Sequence, residues 1–365
     1  MSIKAASGAR LATEPEDSFR SVVRLDRLSI RLEDAESQEQ AWNLGAVAKD
    51  AHECGHRNYV TVTGLAGIAV LPTRHRSRYD AVPLQINGRK AELYIPNRGS
   101  VLLEVQCGII LRGQAPEELG AELKEVLCSL AGTIPGEWSV KDLTVTSYFQ
   151  CPESSLPPMS LEPLPGADPQ LISYGGSEPY HLYPARDRSL FAQTRARRWS
   201  VIRRGSESVG FVCGSMSGGV EVLLSKEATE LHGDPDLRAD LMAAGRLDSG
   251  APVREFGLTF SGNHLGWFKR WVVERGKRRS ESDLEATPHL LKDLVSATVG
   301  DGSRSFFRLA ARSEATAWES DSVLWTHLRE GLLEAMPQPR KYENSPAEPA
   351  RATRRLIRHL FGGGR

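Results

Sequence analysis

The segment from Gln193 to Phe260 decides the fold. It carries four short stretches in order: Thr194-Arg195-Ala196-Arg197, Gly210-Phe211-Val212-Cys213-Gly214, Leu223-Leu224-Ser225-Lys226 and Arg254-Glu255-Phe256. Apolar runs bounded by glycine, serine and charged residues are typical of strands. We predict strands over 195–203, 209–214, 220–224 and 253–260, with a helix over 226–244. Strands joined by tight turns and followed by a helix and a further strand favour an α+β fold.

The first half of the chain repeats this arrangement. The alternation and turn signals predict strands over 22–32, 82–87, 90–95, 100–111 and 138–151, and the helical spacing predicts helices over 37–54 and 116–131. We therefore expect antiparallel sheets with helices packed on one face, in two related halves, and a helical C-terminal region. The expected divisions are a disordered lead-in (1–20), an N-terminal half (21–151), a Pro/Gly-rich insertion or linker (152–190), a second half (191–335) and a basic tail (336–365).

Composition limits the function classes. The 365 residues contain 46 lysines and arginines and 46 aspartates and glutamates, so any basic surface must come from local segregation of charge. The five cysteines form no C-x-x-C pair, which argues against a disulfide scaffold or a zinc knuckle and favours a reducing compartment. No segment has the length of apolar run that spans a bilayer. We expect a cytoplasmic protein without a membrane partner.

The order of these stretches resembles the core of the rolling-circle replication initiators of plasmids and phages. Val101–Gln106 is similar to the family's strand before its first long helix, and Val140–Thr146 is similar to the strand that carries paired aspartates. The segment Trp318–Trp325 resembles the C-terminal tryptophan segment. The resemblance covers roughly residues 80–330. In the family the lysine strand typically has the sequence Ile-Tyr-Asp-Lys, whereas here the tyrosine position is occupied by Leu224.

The resemblance implies a set of catalytic remnants. Such initiators use a tyrosine to attack a DNA phosphodiester, carboxylates to hold a divalent ion, and a lysine to offset charge in the transition state. Asp142 and Glu255 match the carboxylates and are the implied metal ligands, and Lys226 matches the lysine, but Thr146 replaces the second aspartate. We expect no cofactor if the protein is inactive, and Mg²⁺ or Mn²⁺ if it is active. A structural role is the competing interpretation for each residue: a turn carboxylate, an exposed lysine, and a salt-bridged glutamate.

Another tyrosine could replace the missing nucleophile. Tyr148 follows the Asp142 strand, and Tyr183 lies in the Pro/Gly-rich segment. The competing interpretation favoured by the pattern is that Tyr148 covers a sheet face and that Tyr183 is an exposed aromatic residue of a loop.

Clustered arginines with interleaved tryptophan predict a DNA-binding surface. Arginine contacts phosphates and an aromatic ring stacks on bases. The candidate DNA-binding residues are Arg195, Arg197, Arg198, Trp199, Arg203 and Arg204, with Lys269 and Arg270 in a second cluster. Taken singly, each cluster also fits an ordinary solvated face.

Three functions remain open from the sequence. The leading hypothesis is a DNA-binding, replication-initiator-like protein without strand-nicking activity. The first alternative is an active Mg²⁺- or Mn²⁺-dependent nicking-joining enzyme with a relocated tyrosine, and the second is an interaction scaffold that does not bind DNA. DNA is the expected partner, other replication proteins are further candidates, and the oligomeric state is left open.

Overall fold

The computed structural model of the chain describes seventeen stretches of the sequence. These are residues 19–32, 35–73, 81–96, 100–131, 138–156, 161–163, 180–184, 190–194, 199–215, 219–228, 235–244, 247–248, 250–261, 265, 283–300, 306–312 and 319–338.

The described residues form sixteen strands and five α-helices. The strands of the first half are β1 (Arg20–Leu32), β2 (Val60–Thr61), β3 (Ile68–Val70), β4 (Ala81–Ile86), β5 (Arg89–Tyr94), β6 (Val101–Leu111) and β7 (Trp138–Gln150). The later strands are β8 (Leu161–Pro163), β9 (Tyr180–Pro184), β10 (Leu190–Thr194), β11 (Trp199–Arg204), β12 (Glu207–Ser215), β13 (Val220–Ser225), β14 (Arg254–Ser261), β15 (Phe307–Arg312) and β16 (Glu319–Asp321). The helices are α1 (Ala35–Glu53), α2 (Pro116–Ala131), α3 (Pro235–Ala243), α4 (Asp283–Val299) and α5 (Val323–Ala335).

Eleven strands form one continuous antiparallel sheet. Their order is β11-β12-β13-β14-β7-β1-β6-β5-β4-β3-β2. Strand β14 of the second half pairs with β7 of the first half, with Glu255 opposite Tyr148 and Ser261 opposite Asp142. The α+β fold with an antiparallel sheet is confirmed, and both halves of the sequence contribute to the same sheet.

One face of this large sheet is apolar and carries most of the helices. Because successive side chains of a strand point to opposite faces, Val23, Leu25, Leu28 and Ile30 of β1 lie on one side, and all four are buried. They belong to a single core that also contains apolar side chains of α1, α2, α4 and α5. Burial of this face against the helices is the main source of stability of the fold.

The opposite face of the sheet is covered in part by α3. Leu237 and Leu241 of this helix form a second, smaller cluster with Val22 and Tyr148, which project from the other side of β1 and β7. Helix α3 therefore packs on the face that the other four helices leave uncovered. Its observed start at Pro235 makes it shorter than the helix expected from residue 226, because Lys226, Glu227 and Ala228 are not helical.

A second sheet of five strands lies over the apolar face. Its order is β16-β15-β10-β9-β8, so β8 and β9 fall within the stretch predicted as a linker. The ring of Phe307 in β15 lies 6.0 Å from Phe211, 5.8 Å from Phe256 and 5.5 Å from Trp325, between ring centroids. This aromatic cluster joins the second sheet, the large sheet and α5. The predicted domain boundaries stay predictions.

None of the described helices has both the length and the apolar character needed to cross a membrane.

Candidate functional site on the polar face of the sheet

The central strands of the large sheet carry a row of polar residues on the face opposite the main core. In β14, Phe256, Leu258 and Phe260 point into the main core, and Glu255 points to the other side. Cross-strand pairing places Ser225 of β13 and Tyr148 of β7 on either side of Glu255. All three residues are buried. Because burying a carboxylate is costly without partners, this row is a candidate functional site.

A tyrosine, an aspartate and an arginine form the centre of this site. The hydroxyl of Tyr148 donates a hydrogen bond of 2.9 Å to Oδ2 of Asp26. Arg24 Nε lies 3.1 Å from Oδ1 of the same carboxylate, and Arg24 Cζ lies 5.8 Å from the centroid of the Tyr148 ring. Tyr148 is fully buried, so this carboxylate receives its hydrogen bond away from bulk water. The arrangement places the tyrosine ring between the sheet and α3.

An irregularity in β1 brings a third charged side chain to the polar face of the sheet. Simple alternation would put Arg24 and Asp26 on the polar face and Arg27 on the apolar face. The register of β1 shifts between Leu25 and Arg27 with respect to both neighbouring strands, which is the signature of a β-bulge. The shift returns Arg27 to the polar face, opposite Thr144, so that three charged side chains of β1 share that face.

Asp142 and Glu255 lie on the same face but far apart. Asp142 is paired with Ser261, and Glu255 is six residues earlier on the same strand. A strand rises about 3.3 Å per residue, so about 20 Å separates the two positions. The ligand oxygens of a divalent ion lie about 2 to 2.6 Å from it. The two carboxylates therefore do not fit one metal ion, and the pair predicted from the sequence as metal ligands is not brought together.

The described residues contain no group of three or more histidine, cysteine, aspartate or glutamate side chains that could hold a metal ion. Near Tyr148 the carboxylates are those of Asp26 and Glu255, the first bonded to its hydroxyl and the second on the adjacent strand.

Leu224 points away from the carboxylates. It pairs with Phe256 on one side and Phe211 on the other, and it is fully buried in the main core. The nucleophile position inferred from the sequence therefore lies on the apolar face, opposite Glu255. The neighbour on the polar face is Ser225, whose hydroxyl bonds to backbone oxygens, at 2.7 Å from Glu227 O and 3.3 Å from Val209 O.

Lys226 is paired with a carboxylate across the hairpin. Its ammonium donates to Glu207 of β12, and this hydrogen bond lowers the pKa of the Glu207 carboxyl. Lys226 lies directly after Ser225, so it is at the Glu255 end of the polar row and remote from Asp142. The three predicted catalytic residues thus do not converge at one point.

The predicted DNA-binding residues fall into two groups. Arg203 and Arg204 end β11, which is the outermost strand of the large sheet, and both are exposed. Nη1 of Arg204 lies 2.9 Å from Oε2 of Glu227. Five of the others lie outside the described residues: Arg195, Arg197, Arg198, Lys269 and Arg270. For Trp199 in β11 only the backbone is described. The same is true of Tyr183, of which the structure describes the backbone in β9.

Sequence reasoning missed Arg24 and Asp26. Their signal was present in the segment Val22–Leu32, where Arg24 and Asp26 are two of four charged residues and lie two positions apart. Residues i and i+2 of a strand share a face, so the pair could have been recognised as one polar site. What the pattern could not give was the neighbouring strand that supplies Tyr148.

Comparison with solved structures gives a distant structural likeness. The chain resembles the solved structure of a rolling-circle replication initiator protein from Geobacillus stearothermophilus with a TM-score of 0.36 and 9% identity, over 88% of this chain and 100% of that chain. A likeness of this degree carries no argument about function. No protein-family model and no curated protein matches the sequence.

Proposed function

We propose that the chain is a DNA-binding protein of the replication-initiator type that does not nick DNA. The observation that carries the proposal is the combination of an arginine-bearing edge strand with a sheet whose nucleophile position, Leu224, faces the core.

The DNA-binding part rests on the edge strand β11. Arg203 and Arg204 are exposed where the chain turns into β12, at the end of the arginine-rich stretch that begins at Arg195. An edge strand has one side without a neighbouring strand, so a ligand as wide as a nucleic acid can approach it. Arginines in this position suit contacts with phosphate groups, which supply most of the salt-dependent affinity for DNA.

The absence of nicking rests on two side chains. A tyrosine at position 224 would have to reach a phosphodiester through the packed core, and leucine has no nucleophilic group. Tyr148 is on the polar face, but it is fully buried beneath Leu237 and Leu241 of α3, and its hydroxyl is engaged with Asp26. A nucleophile needs direct contact with the reacting phosphorus, which this burial prevents.

DNA affinity as a function of salt concentration tests the binding. We compare the wild type with the double variant Arg203→Gln/Arg204→Gln, and with a control, Lys49→Gln/Arg57→Gln, which removes two exposed cations at the far end of the sheet order. Each lost phosphate contact should lower the slope of log affinity against log salt by about 1. We expect a decrease of about 2 for the edge variant and an unchanged slope for the control.

Two results would contradict the proposal. Unchanged affinity and slope in the edge variant would show that β11 does not contact phosphates. Absence of salt-dependent DNA binding in the wild type would remove the DNA function altogether and favour an interaction scaffold.

A second candidate function is favoured by the hydrogen bond between Tyr148 and Asp26. A carboxylate that accepts a hydrogen bond from a tyrosine hydroxyl can act as a general base for it, and the nearby Arg24 could stabilise negative charge. Such a site would belong to a nicking-joining enzyme whose tyrosine has moved to β7, with α3 displaced to admit DNA. A covalent adduct that disappears in Tyr148→Phe would establish this function in place of the first.

A further inference from the structure

A cavity of about 770 Å³ lies at the end of β6, next to the Arg24 side of the polar site, and Val22, the partner of Tyr148 across the strands, is part of its lining. Its apolar walls include Ile109 and Leu111 of β6 and Val126 of α2, and its polar walls include Arg89 and Arg112. This volume is in the range of small-molecule sites, which typically combine apolar walls with a few placed polar groups.

Two guanidinium groups converge at Gly108 in the cavity wall. A Cβ on this glycine would lie 2.5 Å from Nη2 of Arg24 and 3.2 Å from Nη1 of Arg89. Both distances are measured from one point, so the two nitrogens are within about 6 Å of each other. The backbone of Gly108 has φ +60°, a conformation that favours glycine, and the missing side chain leaves the space that Arg24 occupies.

The charges of these two arginines are incompletely balanced. Among the described residues, Asp26 is the one carboxylate in contact with either of them, and Arg89 donates to the neutral carbonyl of Cys107. Nη1 of Arg24 is buried and has no hydrogen-bond partner within the described part of the chain. Two like charges at this distance repel each other, and buried unpaired donors are costly, so an anion between them would be stabilised.

The acidic residues in the lining of the cavity belong to α2. Glu122 and Glu125 project from α2, and Oε1 of Glu122 lies 3.6 Å from Nη2 of the exposed Arg112. Glu122 therefore offsets the charge of Arg112, and among the described residues no carboxylate besides Asp26 forms an ion pair with Arg24 or Arg89. An arginine fork presents several donors in one plane, which suits a tetrahedral oxyanion.

We propose that this cavity is a binding site for a phosphate group, held by Arg89 with Arg24 behind it and Arg112 at the rim. The remaining apolar volume accommodates the body of a phosphate ester. The site is independent of the proposed DNA surface, because six strand spacings, about 30 Å, separate β6 from the edge strand β11. Failure of DNA binding and failure of phosphate binding are thus distinguishable.

Thermal unfolding in increasing inorganic phosphate, against sodium chloride at matched ionic strength, tests the site, because a ligand of the folded state raises the unfolding temperature. The variants are Arg89→Gln, Arg89→Lys, which keeps the charge without the fork, and Arg57→Gln as an exposed control. We expect equal apparent affinity in the wild type and Arg57→Gln, and a loss of about tenfold or more in Arg89→Gln. The phosphate affinity of Arg89→Lys should lie between those of the wild type and Arg89→Gln. If Arg89→Gln does not fold, Arg89→Lys takes its place in the comparison.

Two further ligands identify the source of the phosphate. Arg89-dependent binding of a nucleoside monophosphate tighter than that of inorganic phosphate would indicate a small ester. An Arg89-dependent preference for a 5′-phosphorylated over a 5′-hydroxyl oligonucleotide would indicate a nucleic-acid end. Both results support the site. The proposal is overturned if phosphate has no effect beyond that of chloride, or if Arg89→Gln binds phosphate as the wild type does.

Discussion

Replacement of Tyr148 by phenylalanine isolates one hydrogen bond in the buried polar site. The variant keeps the aromatic ring, so the packing against Leu237 and Leu241 and the contact with the Arg24 guanidinium are retained. What is removed is the hydroxyl that donates to Asp26 at 2.9 Å. Asp26 is 8% exposed, so water cannot readily replace the lost donor.

The expected loss follows from the nature of the bond. A hydrogen bond to a charged group contributes about 1.5 to 3 kcal/mol, and we expect the free energy of unfolding to fall by that amount. Tyr94 provides the matched control, since its hydroxyl donates to the carboxylate of Glu92 at 2.5 Å near the surface. Because Glu92 is exposed and water can replace the hydroxyl there, Tyr94→Phe should cost about 0.5 kcal/mol or less.

Urea unfolding followed by tryptophan fluorescence measures both losses. The midpoints of the two variants should differ, with Tyr148→Phe unfolding at the lower urea concentration at an unchanged slope. Equal losses in the two variants, or a loss below about 0.5 kcal/mol for Tyr148→Phe, would refute the reasoning that this hydrogen bond is a buried, charge-assisted one.

Three further substitutions or titrations test other parts of the structure. Leu224→Tyr should lower the free energy of unfolding by about 1 to 3 kcal/mol through overpacking of the core, and it should not produce nicking. A stable variant that nicks DNA would contradict the assignment of position 224 to the apolar face of the large sheet. Burial raises the pKa of Cys107 from 9.0 to about 12, so at pH 9 a thiol reagent should label exposed Cys54 and leave Cys107 unmodified in the folded protein. Because the folded protein holds the Cys107 proton more tightly than the unfolded chain does, the free energy of unfolding does not depend on this thiol below pH 9 and falls as the pH rises towards 12. Labelling of Cys107 at pH 9 would contradict its burial. Ser322→Ala should cost about 1 kcal/mol, because the Ser322 hydroxyl caps α5 by accepting from the Trp325 backbone N–H at 3.1 Å; an unchanged urea midpoint would contradict the cap.

Local patterns predicted much of the fold. The alternation of apolar residues located β12, β13 and β14 to within about two residues, and helical spacing located α2 at 116–131. These features depend on neighbours in the sequence, which the sequence displays directly. The α+β class followed from the order of such elements.

The candidate site could be predicted in part. Tyr148, Glu255 and Asp142 were singled out from the sequence, but their mutual distances depend on the register between β7 and β14, whose residues are more than a hundred positions apart. Register fixes which face each side chain occupies, and a shift of one residue would have put Leu224 beside the carboxylates. The bulge that returns Arg27 to the polar face likewise has no local signature in residues 22–32.

The central claim, DNA binding without strand cleavage, is tested most directly by one incubation. The pure protein is mixed with supercoiled and single-stranded DNA in Mn²⁺, and the products are separated on native and denaturing gels, with mass analysis for a phosphotyrosine-linked peptide. We predict retarded DNA on the native gel, intact supercoiled circles and no covalent complex. A phosphotyrosine peptide would contradict the claim and, if it contained Tyr148 or Tyr183, would identify the relocated nucleophile.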